Sequence, residues 1–141
     1  MEIVTDTISV DTRGNTDIHD ITKRVALLLK KHGFGEGNAL VFVPGSTAAL
    51  TTLEHEPGLL KDIPEVFERL APDDAPYHHE KTWNDGNGHS HVRAALIGPS
   101  LTVPFKDGEL CLGTWQQMVL IDFDTRARSR EIVVQLTGTK R

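Results

Sequence analysis

A single cysteine, Cys111, stands in 141 residues. One thiol excludes an intrachain disulfide and a cysteine-rich zinc site. Set among Leu110, Leu112 and Trp115, it reads as a buried, inert side chain rather than a nucleophile. Basic residues are also in short supply: 15 Lys and Arg against 20 Asp and Glu leave a net charge of −5. That balance argues against a general nucleic-acid binder, which carries a basic face; Arg126, Arg128 and Arg130 form the one basic run. No apolar run approaches the ~20 residues of a membrane span, so neither nucleic acid nor membrane is expected as a partner. The stretch Met1 to Asp6 lacks the regions of a signal peptide, and a cytoplasmic protein is expected. Repeats, linkers and low-complexity tracts are missing, which leaves one domain over residues 1–141. What is there is 38% hydrophobic and 25% charged, the composition of a globular domain with one core.

The β-branched stretch Glu2 to Thr12 predicts a strand, and Thr12-Arg13-Gly14-Asn15 a turn. Ile18, Ile21, Val25, Leu28 and Leu29 share one helical face. Thr16 or Asp17 can cap that helix, and Gly33 ends it after Lys30, Lys31 and His32. Asn38 to Val43 reads as a strand buried on both faces, and Thr47 to Glu54 as a second strand. Leu59 to Leu70 carries Leu59, Ile63, Val66, Phe67 and Leu70 on one side of a second helix, with Pro64 expected in its first turn. Ser90 to Leu96 is a helix or a strand. Leu101 to Pro104, a long Leu110 to Phe123 and Glu131 to Leu136 read as strands. Lys106-Asp107-Gly108-Glu109 is a hairpin turn, and Asp122 to Arg130 a polar connection. The fold class is α+β, a mainly antiparallel β-sheet with two or three helices.

Four of the seven histidines lie between Tyr77 and His91. Imidazole binds metals and titrates near neutral pH, and loops on a rigid scaffold carry catalytic groups. His79 and His91, with Glu54 from a separate strand, are the candidate catalytic and metal-ligating set. Mixed imidazole and carboxylate suits a divalent metal, zinc or magnesium. From spacing alone the same histidines read more readily as solvated loop groups that fix turns, since no zinc-finger or HExxH spacing is present. His78 and His89 rank below them, and His19 and His32 read as surface groups in or after the first helix. Asn84-Asp85-Gly86-Asn87-Gly88 resembles half a calcium loop without its distal Glu, and so reads as a glycine-rich turn. Gly45, Ser46 and Thr47 form a turn that can present N–H groups to phosphate, although the P-loop ending is absent. Gln116, polar among apolar neighbours, faces solvent or a ligand, while Trp115 reads as core. Arg128 and Arg130 lie on one side of an extended chain and suit an anion or a solvated turn.

Together, Gly45-Ser46-Thr47-Ala48-Ala49-Leu50, Glu54, Tyr77-His78-His79 with Thr82-Trp83, Ser90 to Gly98, Val103-Pro104, Gly108 and Leu112-Gly113-Thr114-Trp115-Gln116 resemble the YjbQ family. Members carry the label secondary thiamine-phosphate synthase enzyme. The resemblance runs from about Val41 to the last strand, and it rests on Ser-His-Val-Arg and Leu-Gly-Thr-Trp-Gln taken together. It implies a homotrimer with a pocket near subunit boundaries. It also implies that His79, His91 and Glu54 match the family's site residues, with Asn87 and Gln116 lining the same pocket. Many members have a histidine where this chain has Gly45, so a three-histidine site is in question here.

Thiamine phosphate synthesis joins a pyrimidine diphosphate to a thiazole phosphate and expels pyrophosphate. A departing diphosphate needs cations, which Arg93, Arg128, Arg130 and a metal on His79 and His91 would supply. Ser46, Thr47, Asn87, Arg93 and Arg128 are accordingly the candidate ligand-binding residues. The expected function is a metal-assisted enzyme acting on a small phosphorylated or heterocyclic metabolite. The alternative is a trimeric metal- or ligand-binding protein without turnover.

Overall fold

A computed structural model describes residues 1–141. The chain runs β1 (Glu2–Thr12), β2 (Asp17–Asp20), α1 (Thr22–Lys31), β3 (Phe34–Phe42), β4 (Ala48–Leu53), α2 (Leu59–Leu70), α3 (His79–Thr82), α4 (Gly88–Ile97), β5 (Ser100–Lys106), β6 (Glu109–Leu110), β7 (Gln117–Asp122) and β8 (Arg128–Lys140). The class is α+β, with every strand pairing antiparallel and four helices rather than two or three. Five strands form one sheet in the order β1-β8-β3-β5-β6, and three form a second in the order β2-β7-β4.

Alternation of side chains builds the larger sheet. Ala39 and Val41 of β3, and Ile132, Val134 and Leu136 of β8, point inward and are buried. Asn38, Leu40 and Phe42 point outward and are exposed, so β3 is buried on one face and not on both as its apolar run predicts. The strand buried on both faces is β7, whose Met118, Val119, Leu120 and Ile121 are all buried. One face of the small sheet packs with α1 and the large sheet around Val25, Leu29, Val41, Leu120 and Val134. The other face packs under α2 and α4 around Ala49, Phe67, Ala94, Val119, Ile121 and Phe123. The Phe67 and Phe123 rings meet there at 4.9 Å between centroids. The small sheet is thus the middle layer, and it fixes α4 relative to the strand ends.

Several expectations yield to tertiary pairing. Asp17 to Asp20 is a strand because Ile18 pairs with Ile121 of β7. The first helix therefore starts at Thr22, and neither Thr16 nor Asp17 caps it; the Asp20 carboxylate accepts the Thr22 N–H at 2.9 Å. His19 consequently sits on β2, half-buried against Asp17 at 2.7 Å, rather than on the helix. Pro64 lies inside α2 rather than in its first turn, because the helix begins at Leu59. Val66 and Leu70 of that helix are exposed, while Phe67 carries its packing. The long strand expected over Leu110 to Phe123 is two strands in different sheets, β6 and β7, separated by an irregular Cys111 to Gln116. That break puts Cys111 and Trp115 on the surface, Trp115 being 71% exposed, against the expectation that both are buried. The hairpin at Asp107-Gly108 is present, with φ of 54° and 77° at its two central residues.

Candidate functional site

The acidic end of β7 and the basic start of β8 meet, and they set the floor of the site. Asp122 and Asp124 are two residues apart, as are Arg128 and Arg130, so the two pairs match. Arg130 donates to both Asp122 oxygens, at 2.8 and 2.9 Å. Arg128 donates to Asp124 at 2.9 Å through Nε and approaches it at 2.7 Å through Nη2. Thr47, at the start of β4, links the pairs: its hydroxyl donates to Asp124 at 3.0 Å and accepts from Arg130 at 2.8 Å. Thr12 closes the far side by donating to Asp122 at 2.6 Å. Burial pushes the Asp124 carboxyl upward, but the Thr125 N–H, Arg128 and Thr47 outweigh it and bring it down to about 2. Asp122 is lowered in the same way: burial opposes, and Arg130, Thr12 and the Asp124 N–H prevail.

The histidines stand above this floor. The Asn87 side chain, at the N-cap of α4, lies 3.5 Å from Asp124 on one side. On its other side it reaches His79 and Asp85. With its amide turned to satisfy both, Asn87 donates to Asp85 at 2.8 Å and to His79 Nε2 at 3.0 Å. His79 Nε2 is also 3.0 Å from Asp85 Oδ1. The His91 ring, one turn into α4, lies 4.4 Å from the His79 ring between centroids. Glu80 accepts the Gly88 N–H at 3.0 Å and so ties α3 to the start of α4. Gly88 is required at that joint, since a Cβ would lie 2.5 Å from Tyr77 Cβ and 2.8 Å from Glu80 Oε2. His79, Glu80 and Asp85 offer ligand atoms all within 4.8 Å of one another. One imidazole and two carboxylates are a donor set that suits a divalent metal.

Beside His91 is a surface depression of about 390 Å³, lined by Gly45, Ser46, Ala95, Gly98 and Pro99 among others. Gly45 has a φ of 123° and lies over Arg130, whose Nη1 is 3.1 Å from where a Cβ would stand. Glycine is what permits this backbone, and it places no side chain against the guanidinium edge. Ser46 is exposed on the rim.

Within the chain the candidate residues divide. His79, His91, Asn87, Ser46, Thr47 and Arg128 gather at the end of β4 where it begins. Glu54 and Gln116 lie past the other end of β4, which spans about 20 Å over six residues. There Gln116 donates to Thr52 at 3.2 Å and accepts the Gly113 N–H at 3.0 Å. Glu54 is therefore not beside His79 within the chain; the carboxylates that lie with that imidazole are those of Glu80 and Asp85. Arg93 also turns away: it donates to the Ala71 carbonyl at 2.9 Å, Thr16 at 3.1 Å and Glu68 at 2.8 Å. Sequence reading passes over Glu80, Asp122 and Asp124, and it places Asp85 only in a glycine-rich turn. The matched spacing of Asp122-x-Asp124 and Arg128-x-Arg130 is the signal that could have found Asp122 and Asp124.

The chain matches the family model described as UPF0047 protein YjbQ-like over residues 6–139. A UPF0047 protein of Methanothermobacter thermautotrophicus is 38% identical over 138 residues, 98% of this chain and 94% of that one. A UPF0047 protein of Archaeoglobus fulgidus is 37% identical over 128 residues, 91% of this chain and 97% of that one. Among solved structures, a YbjQ-like protein of unknown function from Sulfolobus solfataricus P2 superposes with a TM-score of 0.91 at 33% identity, covering 97% of this chain and 98% of that one.

Proposed function

This chain belongs to the YjbQ-like UPF0047 family, and from that premise we propose a metal-assisted enzyme acting on a small phosphorylated, heterocyclic metabolite. The observation that carries the reading is the convergence of His79, Glu80 and Asp85 within 4.8 Å beside His91. The nitrogen donor favours zinc over magnesium, which prefers oxygen and water. A bound divalent metal supplies Lewis-acid polarisation of a phosphoryl oxygen. The rest belongs to side chains. Asn87 orients the His79 ring by donating to Nε2, and its amide also holds Asp85. His91, facing the depression, is placed to give or take a proton at a group seated there. The Ser46 hydroxyl on the rim and the Arg130 Nη1 edge beneath Gly45 offer donors to an anionic phosphate. The thiamine-phosphate synthase label fits this layout as a side activity: a C–N bond forms to the thiazole, a C–O bond to diphosphate breaks, and the pyrophosphate leaves toward Arg130 and Arg128.

Elemental analysis of the purified protein beside His79→Ala tests the metal. About one divalent ion per chain, lost in the variant, is expected; equal content in both removes the metal role. An assay with both thiamine precursors tests the named activity, and product no higher than without enzyme removes that label alone. One observation favours a second reading, a trimeric metal- or ligand-binding protein without turnover. Arg128 and Arg130 are already neutralised by Asp124 and Asp122, which leaves little free positive charge for a departing diphosphate. That reading keeps metal binding and shows no turnover.

Glu54 and Gln116 join the same site only if a neighbouring copy supplies them. We propose that they do, in a homotrimer. In a head-to-tail ring each interface joins two different patches, as two separated half-sites require. The outer face of the large sheet supports self-association, since its rows Thr7–Val133–Phe42–Ser100 and Thr5–Gln135–Leu40–Thr102 hold no charge. Charge depletion of this kind marks the centres of interfaces.

A further inference from the structure

Two strand edges lie open where the sheets meet. In an antiparallel ladder, alternate residues turn their N–H and C=O groups toward the partner strand, and those between turn them away. The Phe123 N–H donates to the Thr47 carbonyl at 2.9 Å, and the register carries that pattern through Ala49, Thr51 and Leu53 against β7. Leu50 and Thr52 therefore face the free edge of β4, and the Leu50 N–H does donate outward, to the Gly98 carbonyl at 3.1 Å. On β5, the Val43 N–H donates to the Pro99 carbonyl at 2.9 Å, so Leu101 and Val103 serve β3 while Ser100, Thr102 and Pro104 face away. Pro104 fits that register, since proline suits positions whose N–H the ladder does not need. No ladder joins β4 to β5. Their free edges flank one groove of about 350 Å³, with Thr52, Thr102, Cys111 and Gln116 in its walls.

We propose that this groove binds a neutral, planar nitrogen heterocycle with an N–H donor beside a C=O acceptor, the pattern of a cyclic amide such as uracil. An unpaired strand edge is a row of donors and acceptors waiting for a partner. The N–H and C=O of Thr52 lie side by side on one edge, and those of Thr102 on the other. A cyclic amide answers such a pair with one bond accepted and one donated. A ring with two such edges bridges both strands. No lining residue is charged, so a phosphate or an ammonium group finds no counter-charge there, and the volume suits a small molecule. Gln116 donates to the Thr52 hydroxyl at 3.2 Å, which fixes its amide beside the β4 edge. The inference deepens the proposed function by giving the heterocycle a seat. It rests on that reading only for the ring's being part of a substrate; binding the ring needs no metal.

The test is a titration of the intact protein with uracil, read at the Thr52 and Thr102 amide protons by NMR. A second readout is the rate at which iodoacetamide alkylates Cys111, exposed in the same groove. The expected result is a saturable shift at both amides and slower alkylation, both persisting in His79→Ala. 1,3-Dimethyluracil keeps the ring and loses both donors, and its Kd should be about tenfold higher, the loss of one hydrogen bond. Thr102→Pro removes a free N–H at a position in register with Pro104 and should raise the uracil Kd by a similar factor. Thr52→Pro makes the same change on the opposite strand should Thr102→Pro fail to fold. No saturation at these amides, equal Kd values for uracil and its dimethyl form, or an unchanged Kd in a folded proline variant overturns the seat. The metal content of the same samples separates that failure from a failure of the metal-assisted reading.

Discussion

At the scale of single residues, the buried charges under the histidines carry the sharpest consequences. Arg130 and Asp122 are almost wholly buried, with side chains 10% and 0% exposed. Removing one partner of such a pair strands the other, at a cost of about 3–5 kcal/mol. Arg130→Met should therefore lower unfolding free energy by about that amount in urea titration, while a Lys at the same place should recover only part of it, since the fork to both Asp122 oxygens is lost. Asp124 makes a pH prediction. Its folded pKa, about 2, lies below its ordinary value of 3.8. A depressed carboxylate stabilises the fold above its unfolded pKa, and that contribution disappears as pH falls through the folded value. Arg128→Met removes one of the groups that lower it, so the acid unfolding midpoint should move to higher pH. An unchanged midpoint in circular dichroism would show that Arg128 does not hold Asp124. His89 works in the same direction from another cause: burial keeps it neutral, so the unfolded chain takes up its proton first. Stability should fall as pH drops below about 6.5, and His89→Gln should flatten that slope.

At the scale of elements, the site depends on a joint between two short helices. Glu80 of α3 holds the N–H of Gly88 in α4, and Tyr77 leaves no room for a side chain there. Gly88→Ala should push α3 off α4 and cost about 1–3 kcal/mol, in line with overpacking elsewhere. Because His79 rides on α3 and His91 on α4, the same change should weaken metal retention more than it lowers the melting temperature. Loss of stability with full metal content would mean that the joint does not position the pair. This joint was hard to read from sequence. The histidine spacing suggested a loop, and Ser90 to Leu96 matched helix and strand alike, because a helix buried on both its His89 and Ala94 sides shows little amphipathic pattern. α2 and the end of α1 were legible, since apolar spacing and glycine punctuation act locally. β2 was not: Ile18 belongs by spacing to the helix face, and only its pairing with Ile121 makes it a strand. Likewise Asp122 and Asp124 looked like a solvated turn, because the arginines that make their burial tolerable come four to eight residues later. Trp115 and Cys111 read as buried for one reason: the apolar stretch looks like one strand where the chain changes sheets.

At the scale of the whole molecule, the distance along β4 decides what one chain does alone. Thr47 and His91 lie near its start, and Glu54 and Gln116 past its end, about 20 Å away. No side-chain motion closes that gap, so a site using both ends needs two copies. A mixing experiment follows. His79→Ala and Glu54→Ala are each expected to be inactive as homotrimers. If every site takes His79 from one subunit and Glu54 from the next, co-refolded mixtures contain some sites with neither substitution, and activity returns. If Glu54 plays no part in the site, its variant stays active from the start and the shared arrangement fails. The bare sheet face provides the structural arm of the same test. Phe42 is 40% exposed and Leu40 39%, on rows without charge. Phe42→Glu puts a carboxylate into the middle of that face, where an interface would have to desolvate it. Sedimentation should show the wild type as a trimer and the variant as a folded monomer. A variant that remains trimeric moves the interface elsewhere, and a monomeric wild type removes the shared site altogether.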